Sequence, residues 1–149
     1  MRAVIQRVDY SKVEVDNELI GDINRGLLVL LGVEDEDTPD DMKYMVDKII
    51  NLRIFEDEND KMNLSLLDIK GELMVVSQFT LYGDCRKGRR PNFMGAAKPD
   101  FANSMYEDFI EEAKKSVPKV SNGSFGAHMN VSLLNNGPVT ILLDSKKNF

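Results

Sequence analysis

Leu73-Met74-Val75-Val76-Ser77-Gln78-Phe79-Thr80-Leu81 is the stretch on which the fold turns. Its first four residues are apolar and Val-rich, too short a run for a membrane span, and they match a strand covered on both faces. Polar residues follow at once. Ser77, Gln78 and Thr80 lead into Tyr82-Gly83-Asp84, a turn-forming cluster. In open α/β sheets, strand ends that deliver hydroxyls, a carboxamide and free backbone N–H groups form ligand crevices. The same residues also suit a plain capped strand end, and both meanings stand at this point.

Directly downstream, Arg86-Lys87-Gly88-Arg89-Arg90 places four cations in five residues. Such a cluster is either a solvated loop or a set of phosphate contacts. Upstream, Gly26 to Val33 is an unbroken apolar run bracketed near its ends by glycines, the pattern of a central strand. Residues 2 to 9 alternate as a strand whose buried face is ambiguous. Val13-Glu14-Val15 alternates again, and Asp16-Asn17 turns the chain toward Leu19-Ile20-Gly21.

Thr38-Pro39 predicts a helix start, with Asp40 and Asp41 near the positive end of its dipole. Met42, Met45, Val46, Ile49 and Ile50 then recur at helical spacing as a core stripe. A second helix opens at Pro99-Asp100 and presents Ala102, Met105, Tyr106, Phe109, Ile110 and Ala113 on one face. It ends at Lys114 and Lys115, with Pro118 beyond. Further strands are expected at Leu52 to Phe55, Met62 to Ile69, Met129 to Leu134 and Val139 to Leu143. Turns are expected at Ser121 to Ser124 and at Asn135-Asn136-Gly137-Pro138. The order of elements predicts one α/β domain over residues 1–149, with a mixed β-sheet and two main helices.

Composition narrows the function. A chain of 149 residues fits one domain with a real core, and no segment approaches the ~18 apolar residues of a membrane span. The first residues alternate like a strand and lack the apolar stretch of a signal peptide. The single cysteine, Cys85, can form no internal disulfide, which points to a reducing, cytoplasmic setting. A net charge of -6 argues against nonspecific coating of nucleic acid, leaving the basic loop as a local exception. The carboxylates at Glu56 to Asp60 lack the spaced ligands and glycine of a calcium loop, so no metal and no cofactor is expected.

Ser77 and Thr80 are candidate nucleophiles, but the only histidine is His128, and Ser77 lacks the glycines of a nucleophile elbow. Cys85 has only basic neighbours to activate it. A conventional triad and a thiol mechanism are both disfavoured.

Ser77-Gln78-Phe79-Thr80-Leu81 together with Asn135-Asn136-Gly137-Pro138-Val139-Thr140 resembles the paired signature of the D-aminoacyl-tRNA deacylases, editing enzymes that cleave D-amino acids from mischarged tRNA. The opening Met1 to Val8, the loop Arg86 to Pro91 and Gly123-Ser124-Phe125-Gly126-Ala127-His128-Met129 also fit. Two places depart from the family pattern: Asn136, where Asp is commoner, and Arg89 with Asn92, where Asn and Ser are commoner.

The resemblance implies a D-aminoacyl-tRNA deacylase-like fold and catalytic residues Ser77, Gln78, Phe79 and Thr80. It implies a homodimer in which Gly137-Pro138, joined by a cis peptide, enters the partner's site, with Arg7 supporting that loop across the interface. Adjacent main-chain carbonyls would hold the substrate's ammonium while leaving no room for an L side chain. Phe125 and Met129 complete the implied substrate-binding set. Glycine has no side chain to clash, so glycine mischarged on alanine tRNA should also be released.

Backbone N–H groups around Phe79 and Thr80 would stabilise the oxyanion, and the 2′-hydroxyl of the terminal adenosine would activate water; the alternative makes Thr80 the nucleophile. A domain of ~15 Å radius of gyration covers only the acceptor end of tRNA, with Arg86, Lys87, Arg89 and Arg90 on phosphates. Two other classes compete: a nonenzymatic nucleic-acid-binding dimer and an RNA-independent ester hydrolase.

Overall fold

Strand residues that alternate between two buried faces divide this chain into two cores. A computed structural model describes residues 1–149. β1 (Arg2–Val15), β2 (Glu18–Ile23), β3 (Gly26–Gly32), β6 (Glu72–Ser77), β7 (Val120–Asn122) and β8 (Asn130–Asp144) form one mixed sheet; β4 (Phe55–Glu56) and β5 (Met62–Leu64) form a small hairpin. β3 runs antiparallel to β1 and parallel to β6, and β6 parallel to β7. Leu27, Val29 and Leu31 of β3 and Leu73 and Val75 of β6 face the larger core, beneath α1 (Pro39–Ile50) and α2 (Pro99–Lys114). The intervening Leu28, Met74 and Val76 join Val8, Val13 and Ile23 in a smaller core on the other face. This double burial is why both strands read as unbroken apolar runs. Each fully buried aliphatic side chain stabilises by roughly 1.5–3 kcal/mol relative to exposure.

Both helices form where the sequence predicts them. Thr38 caps α1 reciprocally: its hydroxyl accepts from Asp41 N–H at 3.3 Å, and Asp41 accepts from Thr38 N–H at 2.9 Å. Both predicted apolar stripes are buried.

The strands differ from expectation at several points. Residues 2–9 and Val13–Val15 belong to one strand, since neither Gly nor Pro interrupts them; the register shifts between Val8 and Ser11. Leu52 to Ile54 is not a strand, because the Ile54 carbonyl accepts from the Arg7 guanidinium at 2.7 Å instead of from a ladder partner. The expected strand at Met62 to Ile69 stops at Leu64, where Ser65 and Asp68 cap one another's backbone N–H groups and begin a turn. Val120–Asn122 pairs with β6, so the expected turn at Ser121 to Ser124 begins inside a strand. Polar residues hid that pairing, which tertiary context imposes.

The largest correction concerns Asn135-Asn136-Gly137-Pro138. It is not a hairpin turn, because β8 continues through it and stays antiparallel to β1 on both sides. Val8 faces Asn135 and Gln6 faces Thr140, so the intervening residues bulge outward. Asn135 Nδ2 bridges the bulge by donating to the carbonyls of Arg7 and Val139, both at 3.0 Å.

Candidate active site

β6 ends at Ser77, and the chain enters a 3-10 turn over Phe79–Tyr82. Gln78 N–H still donates to the Leu31 carbonyl of β3 at 2.8 Å, so the polar strand end is pinned to the sheet before it turns. Leu81 and Gly83 N–H groups close the turn on the carbonyls of Gln78 and Thr80. Those of Phe79 and Thr80 have no backbone partner and remain available donors.

Beside this strand end lies a cavity of about 590 Å³. Ser77, Gln78 and Phe79 form one wall, and Phe125, His128 and Met129 contribute another. Phe125 leans on Tyr106 with ring centroids 5.9 Å apart, while Met129 Sδ accepts from Ser124 N–H at 3.4 Å. The site therefore combines an apolar lining with a few polar groups at one end, as small-ligand pockets do.

No carboxylate or imidazole hydrogen-bonds to Ser77 or Thr80. The Thr80 hydroxyl instead accepts from Gln78 Nε2 at 2.6 Å, and Thr80 itself does not line the cavity. A hydroxyl in contact with an amide donor and no base is a poor nucleophile. His128 is exposed at the cavity edge. Tyr106 donates its hydroxyl to the Val75 carbonyl at 2.9 Å, and burial pushes its phenol up to about 12, which keeps it neutral.

Gly137 and Pro138 lie outside this cavity, exposed on the β8 bulge. The peptide between them is cis. Arg7 supports the bulge within its own chain: its Nε donates to the Asn136 carbonyl at 3.3 Å while Nη1 holds Ile54 and Glu56. Asn136 in turn donates to Asp9 at 3.0 Å.

The basic loop is ordered. Asp84 and Asn92 exchange backbone hydrogen bonds of 2.7 and 3.0 Å across its neck, and Asp84 binds Arg86 through both carboxylate oxygens. Those bonds hold the Asp84 carboxyl down at about 2. Arg86 is thus occupied, whereas Lys87, Arg89 and Arg90 are exposed without an ion-pair partner. In the acidic turn Asp57 accepts locally from Asn59, Lys61 and Asn63, and Glu56 pairs with Arg7.

Sequence reasoning missed Phe93, which lines the cavity and meets Phe79 edge-on at 5.2 Å, and the cavity role of Tyr106. An isolated aromatic in a polar loop and a hydroxyl within an apolar stripe were the available signals.

The family model for D-Tyr-tRNA(Tyr) deacylase matches residues 4–144. Curated relatives named D-aminoacyl-tRNA deacylase from Clostridioides difficile (strain 630) and Thermosipho africanus (strain TCF52B) are 67% and 64% identical over 149 residues, the full length of both partners. Among solved structures, a c-Myc DNA Unwinding Element Binding Protein superposes with a TM-score of 0.92 at 44% identity, covering 97% of this chain and 98% of that one. A probable eukaryotic D-amino acid tRNA deacylase, 18% identical, shares the fold with a TM-score of 0.84, covering 95% and 97%. The sheet, the polar end of β6 and these matches agree: the chain belongs to the D-Tyr-tRNA(Tyr) deacylase family, hydrolases of the ester that joins a D-amino acid to tRNA.

Proposed function

We propose that the β6 cavity binds the aminoacylated adenosine of tRNA, hydrolyses D-aminoacyl and glycyl esters, including glycine on alanine tRNA, and rejects L-aminoacyl esters by steric exclusion. The observation that carries this reading is the free N–H donor of Phe79, a cavity-lining residue just beyond the pinned strand end, with the Thr80 N–H free next to it in the turn. The ester carbonyl becomes an oxyanion as water adds, and a preorganised donor of this kind typically contributes about 100- to 1000-fold in rate. The one base that lines the cavity, His128, stands exposed at its edge and is given no part in activating the water. The 2′-hydroxyl next to the ester activates it, and Gln78 and Ser77 orient the ribose end of the substrate.

Exclusion of the L side chain falls to the Gly137-Pro138 main chain of a second copy, inserted beside the ammonium. The exposed bulge and the 15-residue β8, hydrogen-bonded only to β1, support this dimer. Lys87, Arg89 and Arg90 meet the backbone of the single-stranded terminus, and the reaction belongs to the cytoplasm.

The test is deacylation of D-tyrosyl-, L-tyrosyl- and glycyl-tRNA in parallel. Rapid loss of the D and glycyl esters with persistence of the L ester is expected; equal lability of D and L esters sinks the exclusion model. Thr80→Ala should retain measurable turnover, and a terminal 2′-deoxyadenosine should abolish it; the reverse pattern makes Thr80 the nucleophile. Cleavage of a D-amino acid methyl ester as fast as of the tRNA ester would favour an RNA-independent hydrolase, and binding without cleavage a nonenzymatic role.

A further inference from the structure

A second cavity, of about 730 Å³, lies on the other side of the loop that walls the first. The division runs residue by residue: Phe93, Ala96 and Ala97 line the first cavity, whereas Met94 and Gly95 line the second. Phe79 and Phe93, edge-on to one another, form the ridge at this boundary. The volume suits a small ligand.

Met94 is 87% exposed, yet its backbone is fixed, because its N–H donates to Asn92 Oδ1 at 2.8 Å and Asn92 closes the loop neck on Asp84. The Arg2 guanidinium sits 4.6 Å from the Tyr82 ring centre and donates to the Leu81 carbonyl and Asp144. Its plane is therefore held in place. Glu34 lines the same cavity with a carboxylate that makes no hydrogen bond within the chain, and Tyr82, 7% exposed, has a hydroxyl without a partner. The exposed, unpaired cations Lys87, Arg89 and Arg90 follow directly on Arg86, which lines the cavity, against a net charge of -6 for the whole chain.

A guanidinium plane, a carboxylate acceptor and nearby cations are among the elements by which single-stranded nucleic acid is held, and an exposed thioether side chain adds apolar surface for a base. We propose that this cavity receives the nucleotide preceding the aminoacylated adenosine, with its base packed on Met94, its exocyclic amino group donating to Glu34 and its phosphate drawn by the basic loop. This rests on the reading of the first cavity as the site of the terminal adenosine. The occupant is then a cytidine in tRNA, and carboxylate acceptance from a cytosine amino group is an established pairing chemistry. The phenylalanine ridge separates the two bases.

Three D-tyrosyl esters test it: of adenosine, of a cytidine-adenosine dinucleotide and of a uridine-adenosine dinucleotide. In the unaltered protein, kcat/KM should rise about 5-fold from adenosine to the cytidine dinucleotide, the lower end of what a base gains by stacking on an aromatic. Met94→Ser should lose most of that gain while hydrolysing the adenosine ester at the unaltered rate, and Glu34→Gln should erase the preference for cytidine over uridine. A gain of the same size in Met94→Ser and the unaltered protein, or no gain with length, overturns the proposal. Failure of the unaltered protein to cleave any of the three esters overturns the underlying reading of the first cavity instead.

Discussion

At the scale of single residues, Gly137 shows how little freedom the bulge has. Its φ is +121°, a region that L side chains rarely adopt, and a Cβ there would stand 2.9 Å from Val139 Cγ2 and 3.0 Å from Arg7 Nη2. Arg7 cannot easily yield, since Ile54, Glu56 and Asn136 already hold it. Gly137→Ala should therefore cost about 1–3 kcal/mol in local strain and shift the bulge. Circular dichroism should show an intact fold, with slower D-ester hydrolysis and a reduced D-to-L rate ratio. Unchanged rates for both enantiomers would separate this residue from stereoselection. The place of Ser77, Gln78 and Phe79 at a cavity wall was legible because polarity follows an apolar run without a break. Thr80's bond to Gln78 and Arg7's intrachain grip were not, since each depends on a partner set by the folded backbone.

Among the elements, α1 was legible to its cap. Thr38, Pro39 and Asp41 satisfy the first backbone N–H groups locally, so no distant contact is needed to specify the start. Burial alone would raise the Asp41 carboxyl, but hydrogen bonds from Thr38 and Lys146 outweigh it and hold the group well below its ordinary 3.8. Thr38→Ala should destabilise the protein by about 1 kcal/mol in urea unfolding at neutral pH. A depressed carboxylate contributes stability that is present above its unfolded value and lost as the pH falls. The gap between the two proteins should thus narrow below pH 3.8. A gap that widens in acid would place the effect elsewhere. β7 and the bulge of β8 were illegible for the opposite reason: Ser121, Asn122, Asn135 and Asn136 carry turn chemistry, and only pairing with β6 and β1 makes strands of them.

For the whole molecule, sheet class and helix count followed from the order and periodicity of the elements, whereas the register shifts along β1 and the separation of the cavity from the β8 bulge belong to long-range geometry. The charge distribution also bears on the proposed RNA contact at this scale, because a chain of net charge -6 carries unpaired cations together at Lys87, Arg89 and Arg90. Replacing Lys87, Arg89 and Arg90 together by Gln should weaken tRNA binding. It should also reduce the slope of log K against log salt by about 2, at ~0.7 per phosphate released from a single strand. An unchanged slope would move the phosphate contacts elsewhere on the protein. The neck between Asp84 and Asn92 gives this loop a further property. Because its ends are tied to each other before the chain returns to the cavity wall, the segment between them behaves as an interchangeable cassette. Replacing the residues between Asp84 and Asn92 as a unit should therefore change the charge that the protein presents there while leaving the cavity beside β6 unaltered.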